Sequence, residues 1–276
     1  MTTILFILEG ERTEPSILKK LETSFFNKDD NKQRISVCFK TDIFAFYDEL
    51  KDGEGFLDPF SVLKEKNPDA CTEIKSSEEI SAIYLFFDHD IHVDRGMSYE
   101  EKSNKINELL QFFNNETENG LLLISYPMFE AYKDWDEMNA SCLSCITDTT
   151  RNNHYKEEVC SRHPRHDHQT FFNFNTWNSL SKIMISRALF LVSGNHNTIS
   201  YEFLQEKITQ LAIFDSQNTK FVLEDNHVVI LSPIPFFLCI ELGPLFYNRH
   251  IRDSLQQLDC NYDCLVRGVI PRQFLR

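Results

Sequence analysis

The first half of the chain alternates short apolar runs with longer segments whose apolar residues recur at helical spacing. Runs of about five apolar residues, rich in β-branched and aromatic types, are typical of strands buried on both faces of a parallel sheet. Four strands are predicted, at residues 4–8, 34–40, 82–87 and 121–125, with helices beginning near Glu14, Ile43, Phe60, Ser98 and Pro127. Strands separated by helices at this spacing indicate βαβ units. The expected fold class is therefore α/β, with a parallel sheet flanked by helices.

The second half of the chain is patterned differently. Residues 139–175 are polar and rich in cysteine and histidine, without a clear period. Beyond them we predict helices at 176–192, 200–214 and 235–249, and a hairpin at 221–230. Two domains are expected on this ground. Residues 1–138 form the sheet domain, with a polar insertion at 52–77, and residues 139–276 form a Cys/His-rich segment followed by a mostly helical C-terminal extension.

Acidic residues directly follow two of the predicted strands. Glu9 ends the first apolar run, and Asp88 and Asp90 follow the third. Because the carboxyl ends of parallel strands share one edge of the sheet, where open α/β sheets bind ligands, these acids are expected to lie together. Mg²⁺ is typically held by one or two carboxylates together with a substrate phosphate. The pattern favours a metal site suited to phosphodiester hydrolysis, although acids at strand ends are also common as helix N-caps.

The net charge of −14 lies in the first half of the chain. Residues 1–138 contain 29 Asp and Glu against 15 Lys and Arg, whereas residues 139–276 contain 13 of each. An acidic surface repels phosphates. A nucleic-acid substrate would therefore require bound cations, a local basic face or a partner protein.

The remaining composition bears on the compartment. No apolar run approaches the roughly 20 residues that span a bilayer, so no membrane association is expected. The amino terminus lacks the basic start and small-residue cleavage site of a secretory signal. We expect a cytoplasmic protein, in which the eight cysteines are reduced thiols or metal ligands instead of a disulfide framework.

Three short motifs resemble one known family. Glu9 opens a Glu-Gly-x-x-Thr-Glu segment, Asp88 and Asp90 form an Asp-x-Asp pair, and residues 125–130 read Ser-Tyr-Pro-Met-Phe-Glu. In this order they resemble the Toprim domain, in particular its RloB-like and AriB-like branch, which is found beside ABC-type ATPases in bacterial antiphage systems. The resemblance covers about the first half of the chain, and residues 139–276 carry no recognised motif.

The resemblance implies a site and an activity. Glu9 matches the invariant Toprim glutamate, Asp88 and Asp90 match its metal-binding aspartates, and Glu130 matches a glutamate that recurs in the RloB-like branch. The implied activity is a Mg²⁺- or Mn²⁺-dependent endonuclease of an abortive-infection system, acting on RNA, including tRNA, or on DNA. An ABC-type ATPase partner or homodimerisation would keep it silent. The alternative is a non-catalytic sensor or regulatory subunit that keeps the fold and binds a partner protein.

A second constellation, in the Cys/His-rich segment, has the spacing of a zinc site. Cys142 and Cys145 form a Cys-x-x-Cys pair, and Cys160 and His163 form a Cys-x-x-His pair. Tetrahedral Zn²⁺ takes four such ligands in structural sites. The alternative is a set of ordinary buried thiols, because the first pair lacks the glycines of a typical zinc knuckle.

Overall fold

The computed structural model describes residues 2–26, 32–74, 76–136, 146–149, 152–168, 170–194, 199–223 and 226–252. The chain divides into two compact units, Met1–Met128 and Phe129–Arg276. This division comes earlier than the boundary at residue 138 that the sequence suggests. Tyr132 accounts for the difference, because its ring packs within the second unit, with centroids 5.0 Å from Phe172 and 6.4 Å from Trp177.

A five-stranded sheet forms the centre of the first unit. The strands of this unit are β1 (Thr2–Leu8), β2 (Lys32–Cys38), β3 (Lys51–Asp52), β4 (Gly55–Phe56), β5 (Ile80–Asp88), β6 (Asn114–Asn115) and β7 (Gly120–Ser125). The central sheet has the order β2-β1-β5-β7-β6, in which only the short β6 runs antiparallel to its neighbour. Strands β3 and β4 pair separately as a hairpin. The mostly parallel sheet confirms the predicted α/β class.

Helices connect these strands. They are α1 (Thr13–Phe25), α2 (Ile43–Leu50), α3 (Pro59–Lys66) and α4 (Tyr99–Phe112). The start of α4 shows why the sequence predicts them well. Ser98 accepts a hydrogen bond from the Glu101 N–H, and the Glu101 carboxylate accepts one from the Ser98 N–H, which is a capping box.

Strand β1 lies inside the sheet, between β2 and β5, although it comes first in the chain. Leu8 is paired with Cys38 of β2 on one side and with Phe86 of β5 on the other. All residues of β1 after Thr2 are buried, as expected of a central parallel strand. The strand order reverses between β1 and β5, and such a switch point opens a crevice at the carboxyl ends of the two strands.

Gly120, the first residue of β7, packs against the central strand β5. Its φ is +117°, and an added Cβ would lie 2.8 Å from Leu85 Cδ1 and 3.2 Å from Ile83 Cβ. The variant Gly120→Ala combines backbone strain with overpacking, so we expect its free energy of unfolding in urea to fall by about 2 to 4 kcal/mol.

The matched control for this variant is Gly53→Ala in the β3–β4 turn. Gly53 also has a positive φ, +57°, but no described atom lies within 4 Å of the added Cβ. Only the backbone strain remains, so a loss of about 1 kcal/mol is expected. Equal losses in the two variants would show that packing against β5 does not matter.

The second unit is mostly helical. Its elements are β8 (Ile146–Asp148), α5 (Asn152–Arg162), α6 (Phe174–Ser193), α7 (Tyr201–Lys207), α8 (Gln210–Gln217), β9 (His227–Val229) and α9 (Ile234–Phe246). Helix α6 confirms the helix predicted at 176–192, and it ends at Gly194 with the left-handed C-cap conformation, φ +67°. Within the described ranges, every helix is too short or too polar to cross a membrane.

Three predictions about helices are wrong. Residues 152–162, expected to be irregular, form α5, whose buried Tyr155 and Val159 are too few to reveal a helical period. The single helix predicted at 200–214 is divided, because the Thr209 hydroxyl accepts from the Ala212 N–H at 3.1 Å and starts α8 as a separate helix. In addition, Pro127 leads only into a short 3₁₀ segment, Phe129–Lys133.

The hairpin predicted at 221–230 is also wrong. Residues Asn218–Val222 form a π-helical turn, and β9 pairs antiparallel with β8. The side chain of Gln217 bonds to the other edge of β9, donating to the Val229 carbonyl at 2.8 Å and accepting from the Val229 N–H at 2.9 Å. The Gln217 side chain thus forms hydrogen bonds to β9 that the sequence analysis had expected from a neighbouring strand of a hairpin.

Candidate active site

Glu9 and Asp88 meet at the carboxyl ends of β1 and β5. The Glu9 N–H donates to the Phe86 carbonyl at 3.2 Å, which extends the strand pairing by one residue. The Glu9 carboxylate then accepts, through Oε2, a hydrogen bond of 3.0 Å from the Asp88 N–H. This bond holds the Glu9 side chain across the end of β5. The structure therefore brings together the two strand ends that the sequence singled out.

Asp90 lies in a tight turn just beyond β5. Its φ of +46° is in the left-handed region, which aspartate tolerates better than most residues. The turn is closed by the Val93 N–H, which donates to the Asp90 carbonyl at 2.9 Å. Lys102 of α4 fixes it further by donating from Nζ to the Ile91 carbonyl at 3.0 Å. Asp90 is only 8% exposed, so its carboxylate is held in a buried position.

Asp42 is a member of this cluster that the sequence analysis missed. It caps α2, with Oδ1 accepting from the Phe44 and Ala45 N–H groups at 3.0 Å each, while Oδ2 accepts from the Arg95 guanidinium. Its negative charge acts on Glu9 and on Asp90. An aspartate directly before an apolar run is a recognisable N-cap signal. That signal does not indicate that the cap faces the ends of β1 and β5.

Glu14 adds a further carboxylate from the first turn of α1. It is 8% exposed, and its Oε1 accepts from the Gly10 N–H at 3.1 Å. An added Cβ on Gly10 would lie 2.4 Å from Glu14 Oε2. Glycine after Glu9 therefore allows the Glu14 carboxylate to approach the backbone, which gives the Glu-Gly pair of the motif a steric reason.

Crowding of buried acids raises the pKa values at this edge. Burial, and then the negative charge of Asp90, raises the pKa of Glu9 from 4.5 to about 8, although the hydrogen bond from the Asp88 N–H opposes the change. Burial and the charge of Asp42 raise the pKa of Asp90 from 3.8 to about 7, while Arg95 lowers it. Without a cation, Glu9 is therefore largely protonated at pH 7, and Asp90 is about half protonated. A bound cation would favour release of these protons.

His89, between the two aspartates, is a neutral packing residue. It is 1% exposed, and its ring centroid lies 4.9 Å from that of Tyr126. Complete burial lowers the pKa of His89 to about 3. The imidazole therefore stays uncharged and helps to position the end of β5.

The carboxylates suit a magnesium ion as donors but do not form a preassembled cage. Among the residues that the structure describes, no three His, Cys, Asp or Glu side chains make a group that could hold a metal ion. Mg²⁺ does not require such a group, because it usually keeps several waters and uses one or two carboxylates with substrate phosphates. Glu9 and Asp90 are buried carboxyl groups whose ionised forms are disfavoured by burial and by neighbouring acids, and a bound cation would balance those charges. Their chemistry fits Mg²⁺ or Mn²⁺ bound together with a substrate.

Glu130 belongs to the second unit. It lies in the 3₁₀ segment Phe129–Lys133 and is 6% exposed. Its Oε1 accepts from Lys156 Nζ at 2.7 Å, so a lysine of α5 neutralises it. Its membership of the catalytic set stays a prediction.

The zinc prediction is described only for its second pair, because Cys142 and Cys145 lie outside the described residues. Cys160 of α5 is a free thiol whose pKa is raised by burial and by its hydrogen bond to Asp167. His163 Nε2 lies 3.2 Å from Asp134 Oδ1. Each member of this pair thus has a carboxylate partner, and the zinc site stays a prediction.

No protein-family model, curated protein or solved structure matches this chain. Function is therefore inferred from the site itself. Glu9, Asp42, Asp88 and Asp90 gather at the switch point of a mostly parallel sheet, and burial shifts the titration of Glu9 and Asp90.

Proposed function

We propose that the first unit is a Toprim-like phosphodiesterase that uses Mg²⁺ or Mn²⁺ to cleave nucleic acid as an endonuclease. One observation carries the proposal: Glu9 and Asp90 are buried carboxyls at a sheet switch point, with pKa values raised to about 8 and about 7. Titratable groups shifted by burial and by like charges, in a crevice where α/β sheets bind ligands, are typical of active sites.

The cluster offers distinct roles for its members. Asp88 and Asp90 would hold the metal, and Glu9 would complete that site or accept a proton from the attacking water. The metal, when bound, would stabilise negative charge on the phosphate and lower the pKa of a coordinated water. The Asp88 N–H orients Glu9 by binding one of its oxygens at 3.0 Å. A pKa close to the working pH suits Glu9 to general-base catalysis.

The motif resemblance extends the proposal to an antiphage effector of the abortive-infection type, controlled by an ABC-type ATPase partner. Its substrate would be RNA, including tRNA, or DNA. The charge of the first unit supports dependence on cations or on a partner, since residues 1–128 contain 25 Asp and Glu against 14 Lys and Arg. Such a surface disfavours the approach of a polyanion.

A non-catalytic sensor or regulatory subunit is the second candidate. It is favoured by the absence of a three-ligand metal group among the described side chains. In that case the buried acids would be a structural feature of the fold, and the chain would bind a partner protein without turnover.

Incubation of the purified chain with total cellular RNA and with plasmid DNA separates the two candidates. We expect fragmentation of one polymer in Mg²⁺ or Mn²⁺, visible on gels, and its loss in EDTA and in the variant Asp90→Asn. Asp90→Asn keeps the size of the side chain and removes the charge. Lack of cleavage of either polymer with either ion would overturn the nuclease proposal in favour of the regulatory one.

A further inference from the structure

A small cavity opens beside the acid cluster, at the carboxyl end of β2. It has a volume of about 140 Å³ and is lined by Cys38, Phe39, Lys40, Leu63, Lys66 and Asn67. The Lys40 N–H donates to the Glu9 carbonyl at 3.2 Å, so the cavity adjoins the strand end that carries Glu9. Neighbouring strands lie about 4.8 Å apart. The cavity and the carboxylates therefore share one edge of the sheet.

The lining of this cavity suits an anion. Lys40 and Lys66 contribute two ammonium groups, Asn67 contributes a carboxamide donor, and none of the described lining residues is acidic. Burial raises the pKa of the Cys38 thiol, so it stays neutral, whereas the Glu11 carboxylate raises the pKa of Lys40 and keeps it charged. A water molecule takes about 30 Å³ of liquid, so the space is enough for a phosphate group.

The two lysines are available to a ligand in different ways. Lys40 Nζ lies 2.6 Å from Glu11 Oε1 with both side chains more than half exposed, and exposed ion pairs of this kind contribute little to stability. Lys66 pairs with Glu49, whose side chain is 26% exposed, but an ammonium group has three donors and can serve a phosphate without leaving this carboxylate. Lys66 also lies 5.2 Å from the centroid of the Phe39 ring, which keeps its ammonium near the cavity.

We propose that this cavity is a phosphate subsite for a polynucleotide whose reacting phosphate lies at Glu9 and Asp90. The inference rests on the proposed phosphodiesterase activity and adds to it a binding site for a second phosphate of the substrate. Such a site beside the first selects a polynucleotide over a phosphomonoester. It also identifies the two lysines through which the first unit, although acidic as a whole, would contact a negatively charged polynucleotide. Lys40 and Lys66 are binding residues in this assignment.

Binding of single-stranded RNA and DNA oligonucleotides of about 12 nucleotides tests the assignment by fluorescence anisotropy. The full chain is used in Mg²⁺, with the Glu9→Gln substitution present to prevent cleavage. Adding Lys40→Gln or Lys66→Gln is expected to raise Kd about tenfold each, since each removes a charged hydrogen bond. Each should also reduce the slope of log K against log salt by about 0.7. Lys105→Gln is the matched control, because Lys105 pairs with Asp48 on the surface and does not line the cavity.

Several results would overturn the subsite. One is that both lysine variants bind like the Lys105→Gln control, and another is that the parent chain binds neither oligonucleotide. A third is that inorganic phosphate displaces the labelled oligonucleotide as well as unlabelled oligonucleotide does at the same concentration of phosphate groups. The cavity would then be a site for free phosphate.

Cleavage assays on chains with native Glu9 keep the two proposals apart. Lysine-dependent binding without cleavage by any chain supports the subsite alone, and cleavage that is insensitive to both lysines supports the phosphodiesterase alone.

Discussion

Exchange of Glu9 for glutamine is expected to lower Mg²⁺-dependent cleavage of nucleic acid by about 10²- to 10⁴-fold, the usual contribution of a general base. Glutamine keeps the shape of the side chain and can still accept from the Asp88 N–H, which holds Glu9 at 3.0 Å. It loses the ability to take a proton or to supply a negative charge to a metal. Initial rates of cleavage of a labelled RNA or DNA measure the effect.

The fold of this variant should be intact, which makes the loss of rate informative. The pKa of Glu9 is raised to about 8, so the native side chain is largely neutral at pH 7 in the absence of metal, as glutamine is. Glu100→Gln is the matched control, because Glu100 is exposed in the first turn of α4. If Glu9→Gln cleaved at the rate of the control, Glu9 would have no catalytic role.

The second large effect concerns stability and pH. In EDTA, the protein is expected to lose about 2 to 4 kcal/mol of unfolding free energy between about pH 6 and about pH 9. The folded-state pKa values of Glu9 and Asp90, about 8 and about 7, lie above their unfolded values. The stability linked to their protonation is therefore fully present below the unfolded pKa values, falls as pH rises above them, and is lost once pH has risen through the folded values. Urea unfolding at a series of pH values measures the loss.

Mg²⁺ should reverse the trend at high pH. A cation binds the deprotonated carboxylates of the folded chain, so its stabilising effect grows as protons leave. Three other charged groups act on this pair: Asp42 and Glu14 raise the pKa of one or both acids, and Arg95 lowers that of Asp90. The control is Glu9→Gln, in which the loss between the two pH values should shrink. If the unfolding free energy of Glu9→Gln depended on pH as strongly as that of the native chain, other titratable groups would be responsible for the effect.

The sheet could be predicted from the sequence because its strands are buried on both faces and appear as uninterrupted apolar runs. Strand β5 is the clearest case, since six consecutive residues within it are buried. Glu9 and Asp88 could be predicted for the same reason, as each stands where such a run ends. Asp42 could not, because its position near Asp90 depends on how α2 packs, and no pattern within the chain encodes that distance.

The second unit was less predictable for a different physical reason. Helix α5 buries mainly Tyr155 and Val159, so its sequence has too little apolar periodicity to be distinguished from a loop. Strand β9 pairs with β8, far away in the chain, and its other edge is bonded by the side chain of Gln217. Pairings between distant segments and with side chains leave no local signal.

The position of β1 between β2 and β5 has a consequence for the order in which the sheet forms during synthesis. Leu5 pairs with Ile35 of β2 and with Ile83 of β5, so the β1–β2 pair can form early on the ribosome while the other side of β1 waits for β5. Synthesis proceeds at about 5 to 20 residues per second, which separates the two events by several seconds. Asp88 and Asp90 join Glu9 only after the second event. A chain released before β5 would carry an incomplete acid cluster, so under the proposed function interrupted translation would yield fragments that cannot cleave nucleic acid.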